Sequence, residues 1–130
     1  SKECLMATLE VTKDNFSATV DGNDLVVVDF WAPWCGPCQS FGPVYEDISE
    51  KHDDVVFAKV NTEAEQELAA HFQIRSIPTL MVLKEQVVIF AQPGALPGSA
   101  LEDIIGKAKE LDMDKVRAEI AAQEGAEDKA

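Results

Sequence analysis

Residues 25–31 read LVVVDFW, and after three further residues comes Cys35-Gly36-Pro37-Cys38. Seven consecutive positions that are aliphatic, β-branched or aromatic, apart from Asp29, match a strand covered on both faces, as in the middle of a largely parallel sheet. Such a strand obliges the rest of the chain to supply one layer above it and one below. With 130 residues, 46% hydrophobic and 27% charged, there is material for one α/β domain with a full core.

Periodicity places the layers. Residues 7–12 predict a short strand and 13–20 a short helix opened by Thr12 as its cap, followed by the turn signal DGND at 21–24. Cys38, Phe41, Tyr45 and Ile48 recur at spacings of three and four, which marks one face of a helix. Pro43 falls inside that helix, where it removes a backbone hydrogen bond and is expected to kink it. Residues 54–60 predict a strand, and 63–72 a helix with Leu68 and Phe72 on one side. Residues 79–83 and 87–91 predict a hairpin, although the link KEQ at 84–86 has no glycine. Leu101, Ile104, Ile105, Ala108 and Leu111 mark a last amphipathic helix of the domain. The order β-α-β-α-β-α-β-β-α predicts an α/β sandwich, a central mixed sheet between two helical layers. The domain is expected to span 1–111. Beyond it, 112–123 carries a weak helical pattern with Asp112 as N-cap, and the small, charged EGAEDKA at 124–130 is expected to be disordered.

Charge narrows the function classes. Against 24 acidic residues stand 11 basic ones, a net charge of −13. That balance argues against nucleic acid and against an anionic membrane surface, and self-repulsion favours a monomer. No run approaches the roughly 20 apolar residues of a membrane span. The opening residues show no basic stretch followed by a long apolar one, so the cytoplasm is the expected location.

Three cysteines are too few for a disulfide scaffold, and Cys4 reads as incidental. Cys35 and Cys38 follow a buried strand and open a helix. The free N–H groups and macrodipole there stabilise an anion, lower a thiol's pKa and so favour the reactive thiolate. Cys35, nearer the helix end, is expected to be the more exposed and more acidic sulfur. Gly36 is expected to permit a tight turn, and Pro37 suits an early helix position. A zinc site needs four ligands, yet only Cys4, His52 and His71 remain, without suitable spacing. Haem attachment requires His at position 39, which is Gln. A structural bridge closing so small a loop would restrict the unfolded chain little. Thiol–disulfide exchange is the chemistry left, with no metal and no cofactor beyond the cysteine pair.

The stretches VVVDFWAPWCGPC at 26–38, AKVN at 58–61, IRSIPTL at 74–80 and PGAL at 93–96 resemble the thioredoxin family, in the right order over residues 8–111. The resemblance implies the thioredoxin fold and a dithiol reductant of protein disulfides. Its partners would be disulfide-containing proteins and a thioredoxin reductase that passes on electrons from NADPH. It implies Cys35 as the attacking nucleophile and Cys38 as the resolving thiol. Asp29 would exchange a proton with Cys38, with Lys59 close by, a role that a pKa raised by burial suits. It implies a cis Ile77–Pro78 bond facing the cysteines, whose neighbouring backbone pairs with an extended substrate. Trp34, Gly36, Pro37, Ile77, Gly94 and Ala95 would form the apolar contact rim with Pro78. Trp31 and Pro43 would be structural. Gly-Pro between the cysteines resembles reductants, whose couples lie near about −270 mV against about −180 mV for isomerases. Gln39 departs from the basic residue frequent after the second cysteine. The alternative reading is a thioredoxin-fold chaperone or assembly subunit that acts by binding alone.

Overall fold

The computed structural model describes residues 7–129, so Cys4 lies outside the described residues. Its elements run Thr8–Glu10 (β1), Phe16–Asp21 (α1), Leu25–Trp31 (β2), Gly36–Ser49 (α2), Val56–Asn61 (β3) and Gln66–His71 (α3). They continue with Thr79–Lys84 (β4), Val87–Pro93 (β5), Gly98–Glu110 (α4) and Met113–Lys129 (α5). The five strands form one sheet in the order β1-β3-β2-β4-β5. β2 pairs parallel with β3 and antiparallel with β4, so the sheet is mixed and LVVVDFW is its central strand. All of it from Leu25 to Phe30 is buried.

The two faces of β2 separate by residue parity. Leu25 and Val27 point to the layer of α2 and α4, where they meet Phe41, Tyr45, Leu101 and Ile105. Val26, Val28 and Phe30 point to the other layer, against Val20, Leu68 and the half-buried Phe72. The Tyr45 hydroxyl lies 2.9 Å from Val27 O and 2.7 Å from Ala58 O, and donates to either. That anchor fixes α2, and therefore Cys38, over β2 and β3. Pro43 sits inside α2 without ending it. It withholds one N–H from the helical ladder.

The first helix cap and the hairpin depart from expectation. Thr12 does not cap α1: Asn15 holds the N-cap position, and its Oδ1 accepts from the Thr12 N–H at 2.7 Å. The chain makes one more turn before the helix because Thr12 and Asn15 satisfy each other's backbone locally. α5 runs to Lys129 and so takes in 124–129, the segment for which disorder is the expectation. Ala, Glu and Lys are good helix formers and no proline interrupts them, so a composition that cannot build a core still builds a helix. Asp112 does serve at its start, accepting from the Lys115 N–H at 3.3 Å.

The hairpin departs from expectation at Lys84. Lys84 belongs to β4 and is buried, not part of the loop. Its Nζ donates to Ala108 O at 2.7 Å and to Lys109 O and Leu111 O at 3.0 Å. A cation on the terminal carbonyls of α4 satisfies groups that the helix itself leaves unpaired, and it suits the negative end of the dipole. The turn is then only Glu85 and Gln86, both at positive φ, 50° and 73°. This two-residue turn forms without glycine. A left-handed residue other than glycine costs about 1–2 kcal/mol. Replacing Gln86 with Gly is therefore expected to stabilise the protein by about 1 kcal/mol, read as a higher urea midpoint at unchanged m-value.

Candidate active site

The N-terminus of α2 is built by its own first residues. Cys35 is the N-cap, in an extended conformation, and its Sγ accepts the Cys38 N–H at 3.2 Å. The residue that would be Ser or Asp in most helices is here a cysteine, so the cap and the reactive group coincide. Cys35 and Cys38 are joined as a disulfide with their Cα atoms 5.2 Å apart. On reduction, a Cys35 thiolate would keep that N–H donor and the positive end of a 14-residue helix.

Both cysteines are buried as residues, each 5% exposed. Trp31 and Ile77 pack with Ala32 around the pair. Gly36 does not meet the expected need for a tight turn. It is already helical, and a Cβ there would find nothing within 4 Å. What glycine leaves at this position is open surface beside the sulfurs. Pro37 stands in the first turn as expected.

Gln39, the departure noted in the sequence, has a definite position. Its Nε2 donates to Pro33 O at 2.8 Å, tying the first turn of α2 to the loop ahead of Cys35. A neutral amide braces the loop where a cation would have added charge near the sulfur.

Asp29 and Lys59 stand opposite each other in the register of β2 and β3. By parity both face the α2 layer, as do Val27 and Phe57. Asp29 is 1% exposed, and its Oδ1 has no hydrogen-bond partner among the described residues. Burial pushes its carboxyl up to about 7, and the Lys59 charge draws it back only partly. Lys59 Nζ lies 4.7 Å from the centre of the Trp31 ring, so the half-buried cation rests on an aromatic face while its charge acts on the carboxyl.

The loop before β4 closes the site. The Ile77–Pro78 bond is cis, and Ile77 O lies 3.7 Å from Cys35 Sγ. Pro78 O accepts the Gly94 N–H at 2.8 Å, which draws the loop after β5 against it. Gly94 has φ of 104°, a conformation that requires glycine. The Ile77 N–H and C=O enter none of the backbone hydrogen bonds among the described residues. Trp34 is 66% exposed, and Gly36, Pro37, Gly94 and Ala95 are exposed too, whereas Ile77 is half-buried and Pro78 buried. The structure thus gathers the rim around the cysteines from three separate loops. Lys84 and the Gln39 brace escaped sequence reasoning. Neither has a periodic signal, although a lone lysine ending an apolar run was visible.

A mixed sheet, a cysteine pair capping a helix and a cis-proline loop against it define a thiol–disulfide oxidoreductase. Among the described residues no helix is long and apolar enough to cross a membrane, and no group of three His, Cys, Asp or Glu is placed to hold a metal. The thioredoxin family profile matches residues 7–107. A putative thioredoxin 2 of Streptomyces coelicolor is 58% identical over 120 residues, 92% of this chain and 90% of the relative. The thioredoxin of Bacillus subtilis is 40% identical over 104 residues, 78% of this chain and 98% of the relative. A mutant thioredoxin from Halobacterium salinarum superposes with a TM-score of 0.75 at 33% identity, over 81% of this chain and 93% of that one. The chain belongs to the thioredoxin family, and its cysteine pair makes it a protein-disulfide reductase by class.

The raised Asp29 carboxyl has a measurable consequence. In the unfolded chain it ionises near pH 4, while in the fold it holds its proton to about pH 7. Between these values the unfolded state binds fewer protons, so this group makes stability fall as pH rises, and the loss is complete above about 7. Asp29→Asn is expected to gain stability over the parent by on the order of 3–4 kcal/mol on going from about pH 4 to pH 8, in urea unfolding of the oxidised protein. A difference that stays flat with pH contradicts the assignment.

Proposed function

We propose that the chain reduces disulfides in protein substrates and is recycled by a thioredoxin reductase that draws on NADPH. The observation that carries this reading is that Cys35 caps α2 with its own sulfur, 3.7 Å from the carbonyl of Ile77, whose N–H and C=O enter no backbone hydrogen bond among the described residues. In the reduced protein the Cys35 thiolate attacks one sulfur of the substrate disulfide, forming a mixed disulfide and expelling the other sulfur as a thiolate that takes up a proton. Cys38 then gives its proton to the Asp29 carboxylate and attacks Cys35 Sγ, releasing the second substrate thiol. The substrate gains two electrons and two protons, and the chain is left with the Cys35–Cys38 bond. The reductase returns the electrons, so no bound cofactor takes part.

The raised Asp29 carboxyl supports its part. A base that titrates near neutrality can both accept and return the proton. Lys59 tunes that carboxyl through its charge. The Ile77 N–H and C=O recognise an extended substrate segment by main-chain hydrogen bonds, with little demand on its sequence. Trp34, Gly36, Pro37, Pro78, Gly94 and Ala95 are the surface it crosses. Trp31 and Pro43 shape the site without touching substrate. In this reading the chain works as a monomer in the cytoplasm, where dithiols stay reduced. Residues 1–111 form the redox domain and 112–130 an added segment, in keeping with a family match that ends at 107.

Cysteine variants test the order of events in a coupled assay containing NADPH, a thioredoxin reductase and a protein disulfide. Cys35→Ser is expected to abolish turnover and to form no adduct. Cys38→Ser is expected to abolish turnover while accumulating a mixed disulfide through Cys35, seen by mass spectrometry as a reductant-sensitive adduct. An adduct that forms through Cys38 in the Cys35→Ser variant would reverse the assignment.

A further inference from the structure

Charge around the cysteine pair is divided between two flanks. β1, β2, β3 and β5 run toward the end of the sheet that carries Cys35, and β4 starts from it. The loops at 11–15, 32–35, 62–65, 72–78 and 94–97 therefore share that end, and the strand order spreads them across it. On the β1–β3 flank stand Asp14, Glu63, Glu65 and Glu67 around a shallow depression. The one cation there, Lys13, is tied to Glu67 at 3.1 Å and, through its backbone N–H, to Glu65 at 2.9 Å. On the β4–β5 flank neither 72–79 nor 91–98 contains an Asp or Glu, and Arg75 is the only Lys or Arg of either segment. In a chain with 24 acidic residues against 11 basic ones, a stretch of site surface without carboxylates is unusual.

Arg75 is exposed and joins none of the ion pairs among the described residues. It borders a groove of about 210 Å³ whose walls include Ile74, Ser76, Thr79, Gln92 and Pro93. Along the chain the groove's lining ends next to the rim on two sides: Arg75 precedes Ile77 by two residues, and Pro93 adjoins Gly94. A segment paired with the Ile77 main chain advances about 3.3 Å per residue, so a side chain two or three residues from its reacting cysteine lies within reach of Arg75. The guanidinium fork matches a carboxylate in two parallel hydrogen bonds.

Resting on the disulfide-reductase reading, we propose that Arg75 and this groove form a subsite for an acidic side chain, Asp or Glu, flanking the reacting cysteine of protein substrates. The net charge of −13 opposes acidic substrates at long range and is screened by salt. The local pair instead selects where on the substrate the carboxylate sits, and the acidic β1–β3 flank rejects it on the other side. Substrate direction across the site is thereby fixed by charge as well as by main-chain pairing.

The test uses the full chain, reduced, and three peptides, each with one cysteine activated as a mixed disulfide with 2-thiopyridine. The peptides carry Glu, Gln or Lys at both the second residue before and the second after the cysteine, and thiopyridone release gives the rate of attack. The readout is the Glu-to-Lys rate ratio. Arg75→Ala is expected to lower it about two- to fivefold and Arg75→Glu about tenfold or more, with Arg75→Lys between parent and Ala. Lys51→Ala removes one positive charge beyond the far end of α2 and is expected to leave the ratio unchanged. An equal ratio in parent and Arg75→Ala, or an equal fall in Lys51→Ala, overturns the subsite. Absence of reaction with all three peptides would overturn the disulfide-exchange reading itself, and the subsite with it.

Discussion

The Cys38 N–H lies 3.2 Å from Cys35 Sγ, and the geometry of the site follows from that contact. It makes the sulfur the cap of α2, so the helix cannot form its first turn without placing a cysteine on its dipole axis. It also sets the second cysteine one turn along, within bonding distance of the first. The helix in turn is held by Tyr45, whose hydroxyl reaches carbonyls of β2 and β3, and by Phe41 beneath the same turn. A reactive sulfur is thus positioned by packing some ten residues away. Rigid support of this kind keeps a nucleophile where its chemistry needs it.

Asp29 shows the opposing demand. A central strand covered on both faces has no structural use for a carboxyl, and burying one without a hydrogen-bond partner is costly. The fold accommodates it in two ways. The group retains its proton to about pH 7, and Lys59 stands beside it in register. Lys59 is itself held over Trp31, so it does not collapse into a tight pair that would leave the carboxyl permanently ionised. The result is a buried acid poised near neutrality, at the expense of stability above that pH.

Much of this was legible in the sequence, for physical reasons that differ by element. LVVVDFW announced a central strand because burial on both faces leaves no polar alternation. The α2 face was readable because helical period and core contact coincide at Cys38, Phe41, Tyr45 and Ile48. The cis Ile77–Pro78 bond and its place against Cys35 came from resemblance alone, since no local pattern brings residues 42 positions apart together. What stayed hidden depends on tertiary partners or on weak local preferences. Lys84 looked like loop because its three carbonyl partners lie on α4 and beyond it. Glu85 and Gln86 turn without glycine because two paired strands impose the turn on them. Along 124–129 composition gives opposed signals, since a small, charged segment cannot supply a core while its Glu, Ala and Lys residues favour the helix that α5 continues there.

A sulfur-capped helix end with Gly36-Pro37 between the cysteines makes a couple that gives electrons to protein disulfides. The equilibrium potential of the Cys35–Cys38 couple, measured against a defined thiol buffer with the intact chain, tests this most directly. The expected value is about −270 mV, in the range of dithiol reductants. A value above about −200 mV would contradict it, marking the site as one that takes electrons from its partners.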